Sequence, residues 1–112
     1  MFTAEMPTTK KTELTPTLEE DLQHLPDEVA DAMGKWLFKQ AERRREYARL
    51  FLTFKANNAE REITNAELKC MVTNDQGYYQ VCLDEIMEES RYRRKLERLM
   101  ASKKLASLRT AF

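Results

Sequence analysis

The chain has 112 residues, of which 34% are charged, and its nineteen basic and nineteen acidic side chains give a formal net charge of zero. That length allows one domain with a modest core. A composition rich in Leu, Ala, Glu, Lys, Arg and Met, with two Gly and three Pro and no strand-like alternation, excludes a β fold and points to an all-α one.

Zero net charge conceals a segregation along the chain. Residues 1–31 hold two basic and eight acidic side chains, residues 32–64 eight and four, residues 65–90 one and six, and residues 91–112 eight and one. The successive blocks therefore carry −6, +4, −5 and +7. Blocks of alternating sign suit neighbours of opposite charge, within a subunit or between subunits. Charged long helices also tend to finish burying their apolar faces against copies of the same chain.

Residues 1–25 read as an acidic N-terminal arm. Its first fifteen residues are rich in Thr and Pro without apolar period, hence flexible. Thr17 and Glu20 then form a capping box before a short helix over 18–24. Pro26 suits the first turn of a new helix, with Asp27 and Glu28 near its positive end. From here to residue 112 a single helical domain is expected. Its first long helix covers about 27–56, a reach of about 45 Å. Val29, Met33, Trp36, Gln40, Arg43, Tyr47, Leu50 and Phe54 follow 4-3-4-3 spacing through it, a heptad seam with a polar middle. Asn57 and Asn58 end the helix.

Thr64 and Glu67 form a second capping box, opening a short helix with Leu68, Met71 and Val72 on one side. "TNDQG" at 73–77 is a turn, where Thr73 and Gln76 repeat the box pattern. A second long helix follows over about 76–109. The expected whole is two long helices, a connector with a short capped helix, and a short N-terminal helix, extended and oligomer-forming.

The last helix ends in "ESRYRRKLERLMASKKLASLR", with eight Lys/Arg against two Glu. On a helical wheel Arg91, Arg94, Lys95 and Arg98 form one stripe, at i, i+3, i+4 and i+7. Tyr92, Leu96, Leu99 and Met100 form an apolar stripe, flanked by Arg93, Lys103 and Lys104. Leu105, Leu108 and Phe112 continue it on a shifted face. Within the helix only Glu88, Glu89 and Glu97 lie in range of the cations, and an i, i+4 pair is worth ~0.2–0.5 kcal/mol. The basic stripe therefore stands under-compensated. Nucleic-acid phosphates would satisfy it, each contact adding a salt-dependent counterion-release contribution. An acidic block of a neighbouring subunit would satisfy it equally well. Tyr78 and Tyr79 read first as core residues, with stacking on unpaired bases as the alternative. In the other basic group, "ERRREYARLFLTFK", Glu42 and Glu46 interleave with Arg45 and Arg49 and answer much of the charge. Arg49 and Lys55 stay candidates.

Catalysis finds little support: there is no Gly-rich phosphate loop, no nucleophile context and no histidine but His24. Asp84, Glu85, Glu88 and Glu89 lack a His to make a metal cluster and read as solvating carboxylates. Cys70 and Cys82, twelve apart, suit two buried thiols in a reducing compartment. No apolar run is long enough for a bilayer, and "MFTAEMPTTKK" lacks the order of a secretory signal. A soluble cytoplasmic non-enzyme with no metal and no cofactor is expected.

From Ile63 to Arg109 the sequence resembles the small phage proteins similar to UvsY, the recombination mediators of T-even phages. The shared scheme is a long first helix with a Trp, here Trp36, and a charged connector. An "E-L/M-K-x-x-V/L-x-x-D" segment follows, here Glu67, Leu68, Lys69, Val72 and Asp75, and a terminal helix ends in Lys103, Lys104 and Leu105. The likeness covers about residues 26–112. It implies an all-α, ring-like homo-oligomer that binds single-stranded DNA in a bacterial host cell. Such a protein helps load a RecA-type recombinase onto DNA covered by single-strand-binding protein. The family's basic motif falls where Arg49, Lys55, Arg61 and Lys69 stand here, although its Lys-x-Arg cluster is absent and "FKANN" takes its place. The family assembles through its terminal helix, which would put Tyr92, Leu96, Leu99, Met100, Leu105 and Leu108 at an oligomer interface. A structural or adaptor protein acting only through protein contacts is the alternative.

Overall fold

The computed structural model describes the backbone of residues 2–111 and the side chains of residues 17–110. It contains three helices, α1 (Phe2–Asn57), α2 (Asn65–Thr73) and α3 (Gln76–Ala111), and no strand among the described residues. The fold is all-α, as composition and period require.

The expected break before Pro26 is absent, because α1 runs through it. Thr17 therefore sits inside a helix rather than capping one, and no separate helix exists over 18–24. The expected flexible arm at 1–15 falls on residues whose side chains lie outside those described, and its backbone from Phe2 belongs to α1. An interior proline removes one backbone hydrogen bond and crowds the preceding turn, at about 3 kcal/mol. Here tertiary burial offsets that cost. Leu25, immediately before the proline, is only 1% exposed, and Ala32 is buried about two turns later. Full burial of a leucine contributes about 1.5–3 kcal/mol.

The other boundaries follow local chemistry. Asn58 closes α1 by donating its side-chain amide to the Phe54 carbonyl at 2.7 Å. Thr64 is the N-cap of α2 and accepts from the Glu67 amide at 3.1 Å, as the box pattern requires. At the start of α3 the cap is Asp75, not Thr73. The Asp75 carboxylate accepts from the Tyr78 amide at 3.0 Å, while the Thr73 hydroxyl turns back to the Lys69 and Cys70 carbonyls. Both residues sit in the same turn, and the charged acceptor takes the helix N-terminus.

The chain divides into two compact units. The terminal unit joins Met1–Ala32 of α1 to Arg91–Phe112 of α3, and the central unit is Met33–Ser90. This division matches the charge blocks: the −6 and +7 segments share the terminal unit, and the +4 and −5 segments share the central one. Each unit is thus close to neutral. The alternating blocks serve first to pair the two long helices within one chain.

The central unit is built on Leu50, Val72 and Tyr78, with Tyr47, Phe51, Phe54 and Cys82 packed around them. Tyr47 meets Tyr78 edge-on at 5.7 Å and stacks on Phe51 at 6.3 Å between centroids, geometries that add to simple burial. Leu68 and Val72 of α2 are fully buried. The heptad seam of α1 is the face turned inward here, although Met33 is 41% exposed and Ala32 is buried beside it. Its polar middle has a purpose: Arg43 pairs with Glu85 of α3. The Tyr78 phenol lies beside the same guanidinium. Among the described residues of the terminal unit, the buried ones are Leu25, Ala32, Leu99 and Ser102.

Candidate nucleic-acid interface

α3 presents its basic segment after four turns shared with the central unit, and the buried line of the helix decides what each cation can do. Leu99 and Ser102 are the buried positions of its C-terminal half. Leu99 belongs to the apolar stripe and Ser102 lies on the basic side of it, so the packed face is turned toward the basic stripe. Lys95 is half-buried as a result, while Arg91, Arg94 and Arg98 are exposed.

Two of the four stripe cations meet carboxylates of α1. Arg98 makes a two-pronged contact with Asp21, Nη2 to Oδ1 at 2.6 Å and Nε to Oδ2 at 3.2 Å. The hydrogen bonds to Asp21 and its negative charge raise the Arg98 pKa further. The buried Ser102 hydroxyl reaches the same carboxylate at 3.4 Å. Lys95 approaches Glu28 at 3.8 Å. Arg91 is also engaged, as is Arg93 beside the stripe. Arg94 alone in the stripe is exposed and has no partner among the described residues. The expectation of an under-compensated stripe is thus corrected: carboxylates from another helix, outside the reach of a single wheel, answer much of it.

The central candidates divide in the same way. Arg49 is held by Glu46, one turn back, with Nε to Oε2 at 3.1 Å. That hydrogen bond lowers the Glu46 pKa and raises that of Arg49. Lys55 in the last turn of α1, Arg61 in the connector and Lys69 on α2 are exposed and have no partner among the described residues. Glu60, Glu62 and Glu67 alternate with them, so that end of the unit carries no net positive charge. A surface hollow there is lined by residues 56–61, Arg61 among them.

Four further cations have open side chains. Lys103 and Lys104, which flank the apolar stripe, are exposed without partners among the described residues, as are Arg44 and Arg45. Glu42 was expected to answer Arg45, but it accepts from Lys39 at 3.2 Å. The useful signal was present: the segment from Arg94 to Lys104 contains one acid, Glu97, against five bases.

Of the two tyrosines, Tyr78 is 9% exposed and belongs to the core, whereas Tyr79 is 61% exposed and presents its ring to solvent. Burial pushes the Tyr78 phenol above its ordinary pKa, with Arg43 opposing the rise and Cys82 adding to it. Among the expected interface residues, Leu99 is already buried within its unit, and Tyr92 and Leu96 are half-buried. Met100, Leu105 and Leu108 are 62%, 55% and 49% exposed, which leaves them open to a neighbour.

The acidic group of α3 is accounted for structurally. Glu85 binds Arg43, and Asp84 accepts from Gln80 at 3.1 Å. No group of three or more His, Cys, Asp or Glu among the described residues could hold a metal ion. Both cysteines are free; Cys82 is half-buried, but Cys70 is exposed, against the expectation of two buried thiols. Leu68 and Val72 supply the buried side of that short helix, and Cys70 falls on its outer side. No helix among the described residues is long and apolar enough to cross a membrane. No protein-family model matches the chain, and neither a curated protein nor a solved structure matches it.

Proposed function

We propose that this chain is a non-enzymatic accessory protein of phage recombination that self-associates and binds single-stranded DNA without sequence preference. The role follows the UvsY-like resemblance: helping a RecA-type recombinase load onto DNA covered by single-strand-binding protein. The observation that supports it is the set of exposed cations on α3 with no partner among the described residues, Arg94, Lys103 and Lys104. Exposed Tyr79 offers a ring for base stacking. Each protomer then contributes a few weak phosphate contacts, and self-association multiplies them. The engaged cations form a reserve, because exposed ion pairs are worth about 0–1 kcal/mol and phosphates can compete for them.

A second reading, a structural or adaptor protein, is favoured by the Arg98–Asp21 and Lys95–Glu28 pairs. They give much of the basic segment a task within the fold. The two readings separate in a titration of a fluorescent single-stranded oligonucleotide with the full chain. DNA binding requires measurable affinity at low salt that falls steeply as salt rises. Absence of binding at the lowest salt would leave the adaptor reading standing.

A further inference from the structure

The central part of α1 carries heptad rows on two opposite faces, and the fold of the chain uses one of them. The inner row, with Trp36, Arg43, Tyr47, Leu50 and Phe54, is buried or half-buried in the central unit. Nearly half a turn round the helix lies a second row, Gly34, Phe38, Ala41, Arg45, Ala48 and Leu52, spaced 4-3-4-3-4. All six are exposed, Phe38 to 57% and Leu52 to 65%. A Cβ added to Gly34 would meet nothing within 4 Å. The row is about 27 Å long.

Its sequence alternates by size. Gly34, Ala41 and Ala48 occupy one heptad position and are small; Phe38, Arg45 and Leu52 occupy the other and are large. Two such helices laid antiparallel, with the two-fold level with residue 43, set Gly34 against Leu52, Phe38 against Ala48, and Ala41 against Arg45. Every large side chain then meets a small one, with the two heptad positions facing each other as an antiparallel seam requires. A parallel pairing sets Phe38 on Phe38 and Gly34 on Gly34, alternating overpacked and empty layers that a close-packed interface disfavours.

Charge agrees with size at the middle layer. Arg45, without a partner among the described residues, would face Ala41 of the second copy, and the next residue there is Glu42. The small alanine leaves the guanidinium room to reach that carboxylate. The two Arg44 side chains would flank the same layer, a like-charge contact that their long stems relieve by turning into solvent. We infer that this outer face of α1 is a self-complementary dimer interface, and that its occupant is the same face of a second copy. The inference does not depend on DNA binding.

The test is the mass of the full chain by sedimentation velocity, beside the variant Ala48→Glu. Position 48 is exposed, so the variant keeps its helix content by circular dichroism. The wild type is expected as a dimer or even-numbered assembly, and Ala48→Glu at half that mass. A wild type that stays monomeric at all concentrations overturns the inference and gives the face to a different protein. An unchanged mass for Ala48→Glu overturns it as well. Register is read separately in a background with Cys70→Ser and Cys82→Ser. There Ala41→Cys combined with Arg45→Cys should form a covalent dimer under mild oxidation, and Ala41→Cys alone should not. Efficient cross-linking by Ala41→Cys alone would mean a parallel pairing and contradict the proposed interface.

Discussion

The two units use the same pair of long helices and hold them by different means. The central unit has an aromatic and aliphatic core around Leu50, Val72 and Tyr78, and its interhelical ion pair, Arg43–Glu85, is partly sheltered. The terminal unit buries Leu25, Ala32, Leu99 and Ser102 and adds ion pairs at a more exposed surface. The difference bears on function. A sheltered pair is committed to the fold, because losing one partner strands the other away from water. An exposed pair contributes little and can exchange one anion for another. The basic end of α3 is therefore the part of the molecule where charge is cheapest to divert to a ligand.

The contrast can be broken or sharpened by substitution. The largest effect is expected from Leu50→Ala, which should lower unfolding free energy by about 2–5 kcal/mol in urea titrations. A loss below about 1 kcal/mol would mean the central core is not the anchor of the fold. Next comes Glu85→Ala, expected to cost about 1–3 kcal/mol because Arg43 loses its acceptor beside the buried Tyr78; a neutral result would place this pair with the exposed ones.

A smaller, pH-dependent effect follows from Tyr78. Its folded pKa is raised by burial, so the stability it contributes is complete below the ordinary phenol value near 10. That stability is lost as pH rises through the higher folded value, since the unfolded chain releases the proton first. Thermal midpoints should fall above about pH 10, and Tyr78→Phe should remove this part of the fall. An identical alkaline profile in the variant would contradict the burial assigned to the phenol. The smallest stability change is expected from Asp21→Asn, which loosens an exposed contact and leaves the unfolding midpoint nearly unmoved. It should nevertheless raise affinity for single-stranded DNA by freeing the Arg98 guanidinium. Unchanged or weaker binding would show that the stripe does not contact phosphate.

Much of this architecture was legible in the sequence because it is set locally. The 4-3-4-3 seam gives the inner face of α1, the Thr64–Glu67 box gives the start of α2, and the asparagines give the end of α1. What could not be read depends on a second element. Pro26 looks like a helix start until the burial of Leu25 is known. Thr73 and Asp75 compete for one helix terminus, and the sequence pattern alone does not rank them. The balance of the basic stripe depends on a second element in the same way: Asp21 and Glu28 lie about seventy positions away in the chain and beside the stripe in space. Their part was foreshadowed by the charge blocks, which pointed to opposite neighbours without saying which residues would meet.

The claim that open cations of α3 bind single-stranded DNA is tested most directly by salt dependence in a matched pair of proteins. Oligonucleotide affinity is measured across a salt series for the wild type and for Arg94→Glu, Lys103→Glu and Lys104→Glu combined. Each phosphate contact contributes about 0.7 to the slope of log affinity against log salt on a single strand. The triple variant should therefore bind more weakly at low salt, with a slope shallower by about 2 per protomer. Equal affinity and equal slope in the two proteins would contradict the claim.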